Sequence, residues 1–256
     1  MNIVHFVNGV HETGRSRRRA ARRAEILDAA AGLLASEGLP ALTLARVASE
    51  LGYVAAALYR YFDSKEALLA ELQRRTIQEL SAGFEQERKA AAQAWREQGF
   101  SKQEEPLAEL WAGVGFYLAL PQTAPERFRL VGVMLTDPRP LVDGAEALKS
   151  APVLMAFLGE VRSLLAAAED SGALTPGSAT DRTLALWSTL QGAAQLDKLA
   201  RFDSEYFDAV RIGKSAARAL LLGFGARPEA LDRLERNVSA PAALARRGSK
   251  PRSRRS

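Results

Sequence analysis

Apolar residues recur at helical spacing along most of the chain. The first such segment lies at about residues 20–36, and its apolar positions are spaced i, i+4, i+7 and i+8, which predicts a helix with one buried face. These positions are Ile26, Ala30, Leu33 and Leu34. Gly38, which tolerates a left-handed helix cap, and Pro40, which cannot continue a helix, predict that the helix ends there.

Three further helical segments follow at short intervals. Thr43 can accept an amide hydrogen bond at a helix start, and Gly52 breaks the segment that Thr43 opens. A third short helix is predicted at about 54–61, and the acceptor Asp63, three residues before Glu66, predicts the start of a fourth. Two short helices separated by a glycine turn, after a first helix, are the pattern of a helix-turn-helix.

The rest of the chain keeps the helical period. Apolar segments separated by stretches rich in proline and glycine predict further helices, at about 107–118, 130–135, 151–169, 180–194 and 207–224. No run of alternating apolar and polar residues competes with them. The predicted fold class is therefore all-α, with an N-terminal three-helix helix-turn-helix head followed by a larger helical domain.

Composition removes several classes of function. The 256 residues include no cysteine, which excludes disulfides, thiolate metal sites and cysteine nucleophiles. The two histidines, His5 and His11, both lie in the first dozen residues, so the body of the chain offers no histidine triad or histidine metal site. Carboxylates such as Asp137, Asp143 and Asp181 lie beside loops and helix caps, where solvation accounts for them. We therefore expect no enzyme, no metal and no cofactor.

Basic residues are concentrated at the two ends. Six arginines lie in residues 15–23 and six further basic residues in 246–256, out of 35 in the chain. Outside these clusters, and setting Glu12 aside, 23 basic residues face 29 acidic ones, so the net charge of +5 describes cationic ends on a mildly acidic body. Cationic ends favour a polyanion such as DNA, RNA or an anionic membrane, or are simply solvated and unstructured.

No segment predicts a membrane span. The longest charge-free stretch, residues 110–125, holds 16 residues and is interrupted by proline and glycine, short of the roughly 18 that a spanning helix needs. The apolar opening of the chain is followed by basic residues, the reverse of a secretory signal. We therefore expect a cytoplasmic protein.

Five short motifs follow one another between residues 22 and 72. They are I-L-x-A-A at 26–30, E-G at 37–38, T-L-x-x-V-A-x-x-L-G at 43–52, L-Y-x-Y-F at 58–62 and S-K-E-x-L-L at 64–69. In this order and spacing, they resemble the DNA-binding domain of TetR-family transcriptional regulators. The remainder resembles that family only in its helical character, its length and its two long final helices.

The resemblance implies a mode of action. The third helix of each subunit of a homodimer would enter the major groove of a palindromic operator, with half-sites about one helical turn, roughly 34 Å, apart. The two last long helices would form an intersubunit four-helix bundle. A small molecule entering this ligand-binding and dimerisation domain would favour a spacing of the heads that does not fit the operator. Repression is the activity that the resemblance implies.

The resemblance also assigns phosphate contacts to residues of the head. Thr43 stands at a helix N-terminus, where its hydroxyl and the free amides suit a phosphate. Tyr59 and Lys65 match family positions that grip the DNA backbone. The alternatives are that Tyr59 packs with Phe62 and that Lys65 is an exposed charge in a capping turn.

The third helix departs from the family pattern. The family commonly has Ser or Thr at the position of Val54, followed by polar or basic residues where this chain has alanines at 55–57. Ala55 and Ala57 can only pack against thymine methyl groups. We expect base and shape reading to fall on their neighbours, with the arginines of 15–23 adding groove or phosphate contacts. These neighbours are Arg46, Tyr53 and Arg60.

Four regions are predicted: an unstructured basic arm at 1–19, a DNA-binding head at 20–66 with the helix-turn-helix at 43–62, a regulatory and dimerisation domain at 67–236, and an unstructured basic tail at 237–256.

The regulatory domain contains several large apolar residues that allow two interpretations. In the first they line a pocket for a hydrophobic effector, with a glutamine as the polar contact, and in the second they are ordinary core residues. These candidates are Trp111, Phe116, Tyr117, Phe128, Met134, Trp187 and Gln191.

A competing interpretation is a non-specific nucleic-acid-binding protein that acts through its basic ends and a degenerate helix-turn-helix. Such a protein would coat any duplex and dissociate uniformly as salt rises, whereas a regulator would protect one palindrome.

Overall fold

The computed structural model describes residues 14–136 and 144–238, and the side chains of 133–136 are not described. Within these ranges the chain forms ten α-helices and no strand, which confirms the all-α prediction. The helices are α1 (Gly14–Glu37), α2 (Leu44–Glu50), α3 (Ala55–Leu58), α4 (Lys65–Glu97), α5 (Glu105–Thr123), α6 (Pro125–Thr136), α7 (Gly144–Asp170), α8 (Ala179–Gln195), α9 (Ala209–Gly223) and α10 (Pro228–Asn237).

The chain divides into two compact units, residues 1–72 and 73–256. The boundary falls inside α4, a few residues beyond the predicted limit at 66. Leu68, Leu69 and Leu72 are all buried, so the apolar face of α4 extends the core of the first unit past that limit.

The first unit begins with a helix that is longer than predicted. Its apolar face is buried as expected, with Ile26 and Ala30 fully inaccessible. However, α1 starts at Gly14, so residues 14–19, predicted to be part of an unstructured arm, are its first turns. The rest of that arm, residues 1–13, lies outside the described residues, as do 239–256 of the predicted basic tail.

The second and third helices form the predicted helix-turn-helix. Gly52 takes a φ of +70° between them, a conformation that residues with a side chain rarely adopt. The third helix is a single turn, Ala55–Leu58, rather than the predicted 54–61. The chain then continues as a hydrogen-bonded turn in which the Phe62 amide donates to the Leu58 carbonyl over 3.0 Å, and both side chains are buried.

The second unit is built around α5. This helix is buried on almost every side and contacts α6, α7, α8, α9 and α10, while α8 and α9 pack extensively against each other. The buried carboxylate of Glu104, directly before α5, accepts hydrogen bonds from Arg227 and Arg233, which fixes α10 to the start of the central helix.

Among the described helices, α7 alone is long and apolar enough to cross a membrane by length and composition. It contains Glu160 and Arg162, so its sequence offers no long charge-free stretch. Core helices of soluble proteins meet the same two criteria, and α7 packs on α5 and α8. Only 17% of its most apolar segment is buried.

Candidate nucleic-acid interface and ligand cavity

The exposed surface of the helix-turn-helix is centred on α3. Thr43 caps α2 as predicted, since its Oγ1 accepts a hydrogen bond from the Arg46 amide at 3.1 Å. At the two ends of α3, Val54 is 74% exposed and Tyr59 is 56% exposed. Tyr59 therefore does not pack in the core beside Phe62, and each end of α3 exposes one large side chain.

Arg46 projects from α2 between two carboxylates. Its guanidinium lies 2.7 Å from Glu37 and 3.0 Å from Glu50. The hydrogen bond to Glu37 is the main cause that raises the pKa of Arg46 above its ordinary value. The side chain is thus a permanent cation, held extended on the surface of the head.

Tyr53 lies in the turn, and side chains of α1 hold it in place. Its hydroxyl accepts a hydrogen bond from Arg22 and donates one to Glu25 at 3.5 Å. The Arg22 guanidinium also lies over the tyrosine ring, 5.0 Å from its centre. The turn and the first helix therefore share one polar cluster, in which Tyr53 is half-buried.

Two further predicted contact residues are cationic. The Lys65 ammonium donates to the Leu39 carbonyl at 3.2 Å, and because it carries three protons it keeps donors for a phosphate. Arg60 is exposed just after α3, and its carbonyl accepts a hydrogen bond from Arg19 at 3.4 Å. Lys65 is therefore not a free capping-turn charge, because it ties the start of α4 to the segment after α1.

The three alanines present methyl groups only. Ala56 is exposed, while Ala55 and Ala57 are half-buried. No hydrogen-bonding side chain occupies these positions, so any reading of bases at α3 rests on methyl contacts and on neighbouring residues.

A basic groove runs between the start of α1 and the end of the helix-turn-helix. Four arginines of α1 and one beyond α3 line it, with Glu25 as its acidic member, and its volume is about 600 Å³. These arginines are Arg15, Arg18, Arg19, Arg22 and Arg60. Three of them fall in the predicted unstructured arm at 1–19, and neither Glu25, which lies among them, nor Glu37, which pairs with Arg46, was predicted as a neighbour. The i, i+3, i+7 spacing of Arg15, Arg18 and Arg22 was the available signal.

Two small apolar cavities lie among the described residues of the second unit. Each encloses about 40 Å³, and Tyr117, Phe157 and Trp187 line both of them. Of the predicted ligand residues, Phe116 lines the first cavity as well. Trp111 and Phe128 lie in the core and line neither, and Met134 falls outside the described side chains.

Gln191, the predicted polar contact, lines neither cavity itself and is joined to their shared wall through Tyr117. The tyrosine hydroxyl donates a hydrogen bond to its Oε1, and Gln191 is buried. Burial raises the pKa of Tyr117 to about 12, and a hydrogen bond with Trp187 partly offsets the increase. The phenol is thus neutral at any physiological pH.

Comparison with known proteins identifies the first unit. The model of the family described as bacterial regulatory proteins, tetR family, matches residues 26–72. A curated relative, the HTH-type transcriptional repressor KstR2 of Rhodococcus jostii (strain RHA1), is 40% identical over 62 residues. That match covers 24% of this chain and 30% of the relative.

Solved structures share the fold over most of the chain. The fatty acid degradation regulator FadR of Bacillus halodurans has a TM-score of 0.61 at 19% identity, over 80% of this chain and 97% of that one. TylP, a tetR regulator of Streptomyces fradiae, has a TM-score of 0.59 at 22% identity, over 93% and 96% of the two chains. The first unit therefore carries the helix-turn-helix that this family's model describes, and the chain as a whole has the same fold as these solved regulators.

Proposed function

We propose that this chain is a transcriptional repressor that binds a palindromic operator as a homodimer and is released from it by a small-molecule effector. The observation that carries the proposal is the exposed single-turn α3, with bare methyl groups and Tyr59 at its surface and cations on both sides. The family supports it, because its members are transcription regulators and not enzymes. A regulator of this kind works in the cytoplasm, where bacterial DNA lies.

In this proposal the head divides its contacts into two classes. Thr43, Tyr59 and Lys65 bind phosphates and set the position of α3 in the major groove, because a hydroxyl, a phenol and an ammonium are suitable phosphate partners. Arg46, Tyr53 and Arg60 reach bases or sugars beside it. Ala55 and Ala57 contact thymine methyl groups, which favours A·T pairs at the centre of each half-site.

The second unit supplies dimerisation and response to the effector. The packed pair α8 and α9 carries exposed leucines, Leu184 and Leu222, which suit a bundle with the same pair of a second subunit. The two apolar cavities beside Trp187 supply a starting point for a hydrophobic effector. An effector that binds more tightly to the non-operator spacing releases DNA.

Selection of bound sequences from a random duplex pool by the full chain tests the proposal. We expect enrichment of one palindrome whose half-site centres lie about one helical turn apart. The selected duplex and a scrambled copy are then compared at moderate salt. Recovery of no common sequence, or equal affinity for the two duplexes, would overturn the proposal.

A second candidate function is non-specific nucleic-acid binding. The observation that favours it is the combination of an alanine-only α3 surface with a groove lined by five arginines, since such a surface attracts phosphates without reading bases. In that case affinity falls equally for all duplexes as salt rises, and the selection yields no motif.

A further inference from the structure

The two cavities of the second unit are separated only by side chains. Tyr117, Phe157 and Trp187 form the wall that they share, and Phe157 is half-buried. Each cavity holds about 40 Å³, whereas pockets for small organic ligands are typically roughly 300–1,000 Å³. Rotation of the Phe157 ring would join the two spaces, so a ligand of one or two rings has to open the wall as it binds.

A short hydrogen-bonded relay determines which polar atoms of this wall remain without a partner. The carboxamide Oε1 of Gln191 can only accept a hydrogen bond, so the Tyr117 hydroxyl donates its single proton to this oxygen. Thr183, the other hydroxyl that lines a cavity, donates to the Ala179 carbonyl within its own helix at 2.7 Å. Both hydroxyl protons at the cavity wall are therefore used.

The Gln191 amide nitrogen is the unsatisfied group of this relay. Gln191 is 8% exposed, and its Nε2 is buried without a hydrogen-bond partner among the described residues. A buried amide donor with no acceptor is costly, so a ligand that brings an acceptor gains the bond at no further desolvation cost to the protein. The oxygen of a ketone, ester or ether meets this requirement.

Charge restricts the ligand further. No charged side chain occurs among the described residues that line either cavity. On α7, next to Val161 of the first cavity, Glu160 accepts a hydrogen bond from Ser81 at 2.6 Å through Oε1, and its Oε2 is buried with no partner among the described residues. An anionic ligand would meet no cation among the described lining residues.

We propose that the second unit binds an uncharged, largely aromatic molecule that carries a hydrogen-bond acceptor, and that the Nε2 of Gln191 donates to this acceptor. The inference rests on the effector-responsive function proposed above and names the chemical class of that effector. Gln191 is thereby a specificity residue, which separates a ketone from a hydrocarbon of the same shape.

Three probes of similar size test this assignment: benzophenone, which has the acceptor, diphenylmethane, which lacks it, and diphenylacetate, which is an anion. Their binding to the full chain is measured by equilibrium dialysis without DNA. We expect benzophenone to bind about tenfold more tightly than diphenylmethane, because one buried hydrogen bond distinguishes the two, and we expect diphenylacetate to bind least.

Substitution of the glutamine locates the effect. In Gln191→Leu, benzophenone should bind no more tightly than diphenylmethane, while diphenylmethane keeps its wild-type affinity and so reports an intact cavity. Gln191→Met is the second variant, should the leucine fail to fold. The control Gln93→Leu makes the same change at an exposed position of α4 and should leave both affinities unchanged.

Equal binding of benzophenone and diphenylmethane, preference for diphenylacetate, no binding of any probe, or unchanged discrimination in both Gln191 variants would each overturn the inference. These outcomes are separate from the test of the proposed function, which measures DNA binding without a ligand. A chain that selects its operator but does not discriminate the probes loses only the assignment of the ligand class.

Discussion

Side chains that we assign to DNA are held by carboxylates on the surface of the head. Arg46 lies between Glu37 and Glu50, and Tyr53 is linked to Glu25. The members of the Arg46 pairs are about two-fifths to one-half exposed, so water and salt screen them and they open at little cost. Phosphate oxygens can therefore replace these carboxylates when DNA binds. In the protein without DNA, the carboxylates keep the side chains extended at the surface.

The methyl surface of α3 leads to a prediction for Ala55. Ala55→Glu should weaken binding to the selected operator at least about 100-fold, because a buried carboxylate would face the DNA phosphates and base edges. The fold should persist, since an acidic residue at the first position of a helix is favourable. Fluorescence anisotropy with the labelled duplex measures the change.

The control for this prediction is Ala90→Glu, which adds the same charge at an exposed position of α4 in the second unit. It should change operator affinity by less than about threefold, as expected for a screened charge outside the helix-turn-helix head. Nearly equal losses in the two variants would mean that net charge, rather than the surface of α3, governs binding.

Burial of Tyr117 predicts a pH dependence of stability. The phenol ionises near pH 10 in the unfolded chain and near 12 in the native one, so its contribution is fully present below pH 10 and is lost as the pH rises towards 12. Between pH 8 and 11 the wild type should lose about 1 kcal/mol more of its free energy of unfolding than Tyr117→Phe does. Urea unfolding at a series of pH values measures this difference.

Tyr59→Phe serves as the matched control, because Tyr59 is exposed. Its stability should follow the wild-type curve over the whole pH range. If Tyr117→Phe followed that curve too, the Tyr117 phenol would not be the titrating group.

At the scale of helices, the sequence predicted what apolar spacing and turn chemistry determine. The cap at Thr43, the turn at Gly52 and the buried face of α1 are confirmed, because each depends on local residues alone. The first turns of α1 were missed, since residues 14–19 are all exposed and leave no apolar period.

Prolines account for two other differences between prediction and structure. The predicted start of α7 at 151 fell beside Pro152, yet the helix begins at Gly144 and includes this proline. In α10, Pro228 stands at the helix start, where a proline is favourable, but the helix is only ten residues long and was not predicted. A proline alone does not distinguish a break, a kink and a start.

The helical start of α1 makes its arginines a fixed array, and this array can be tested. Replacing Arg15, Arg18 and Arg19 by Gln should weaken binding to every duplex, because phosphate contacts carry no sequence information. If each arginine contacts one phosphate, the slope of log affinity against log salt should fall in magnitude by about 2 to 3. Titrations of the operator and of a scrambled duplex at several salt concentrations measure both effects.

The control variant replaces three exposed cations of the second unit, Lys102, Arg129 and Arg162, by Gln. It removes the same charge and should leave the salt slope unchanged. A wild-type slope in the variant of α1 would exclude the basic groove from the DNA interface.

In the whole molecule, the sequence predicted the candidates for ligand binding, but it did not predict which of them line a cavity and which belong to the core. Tyr117 and Trp187 line cavities, whereas Trp111 and Phe128 are core, although all four are large aromatic residues on helices. Their roles depend on how α5, α7 and α8 pack, which helical spacing does not determine. The relay from Tyr117 to Gln191 joins residues 74 positions apart and likewise has no local signal.

The proposed dimerisation through α8 and α9 gives the last prediction. Leu184 is 45% exposed on α8 and Leu222 is 38% exposed on α9, and a two-fold bundle would bury both. The double variant Leu184→Glu/Leu222→Glu should sediment as a monomer, because it places four carboxylates in an apolar interface. Its affinity for the full palindrome should fall by about 100-fold or more, while its affinity for a single half-site stays near that of the wild type.

Leu148→Glu on α7 is the control for this dimer. Leu148 is 76% exposed, and the variant should remain a dimer with wild-type affinity for the palindrome. If Leu148→Glu alone produced monomers, the weakly buried apolar surface of α7 would be the interface, and the four-helix bundle would be wrong. Dimers in both variants would mean that a surface other than these two forms the dimer.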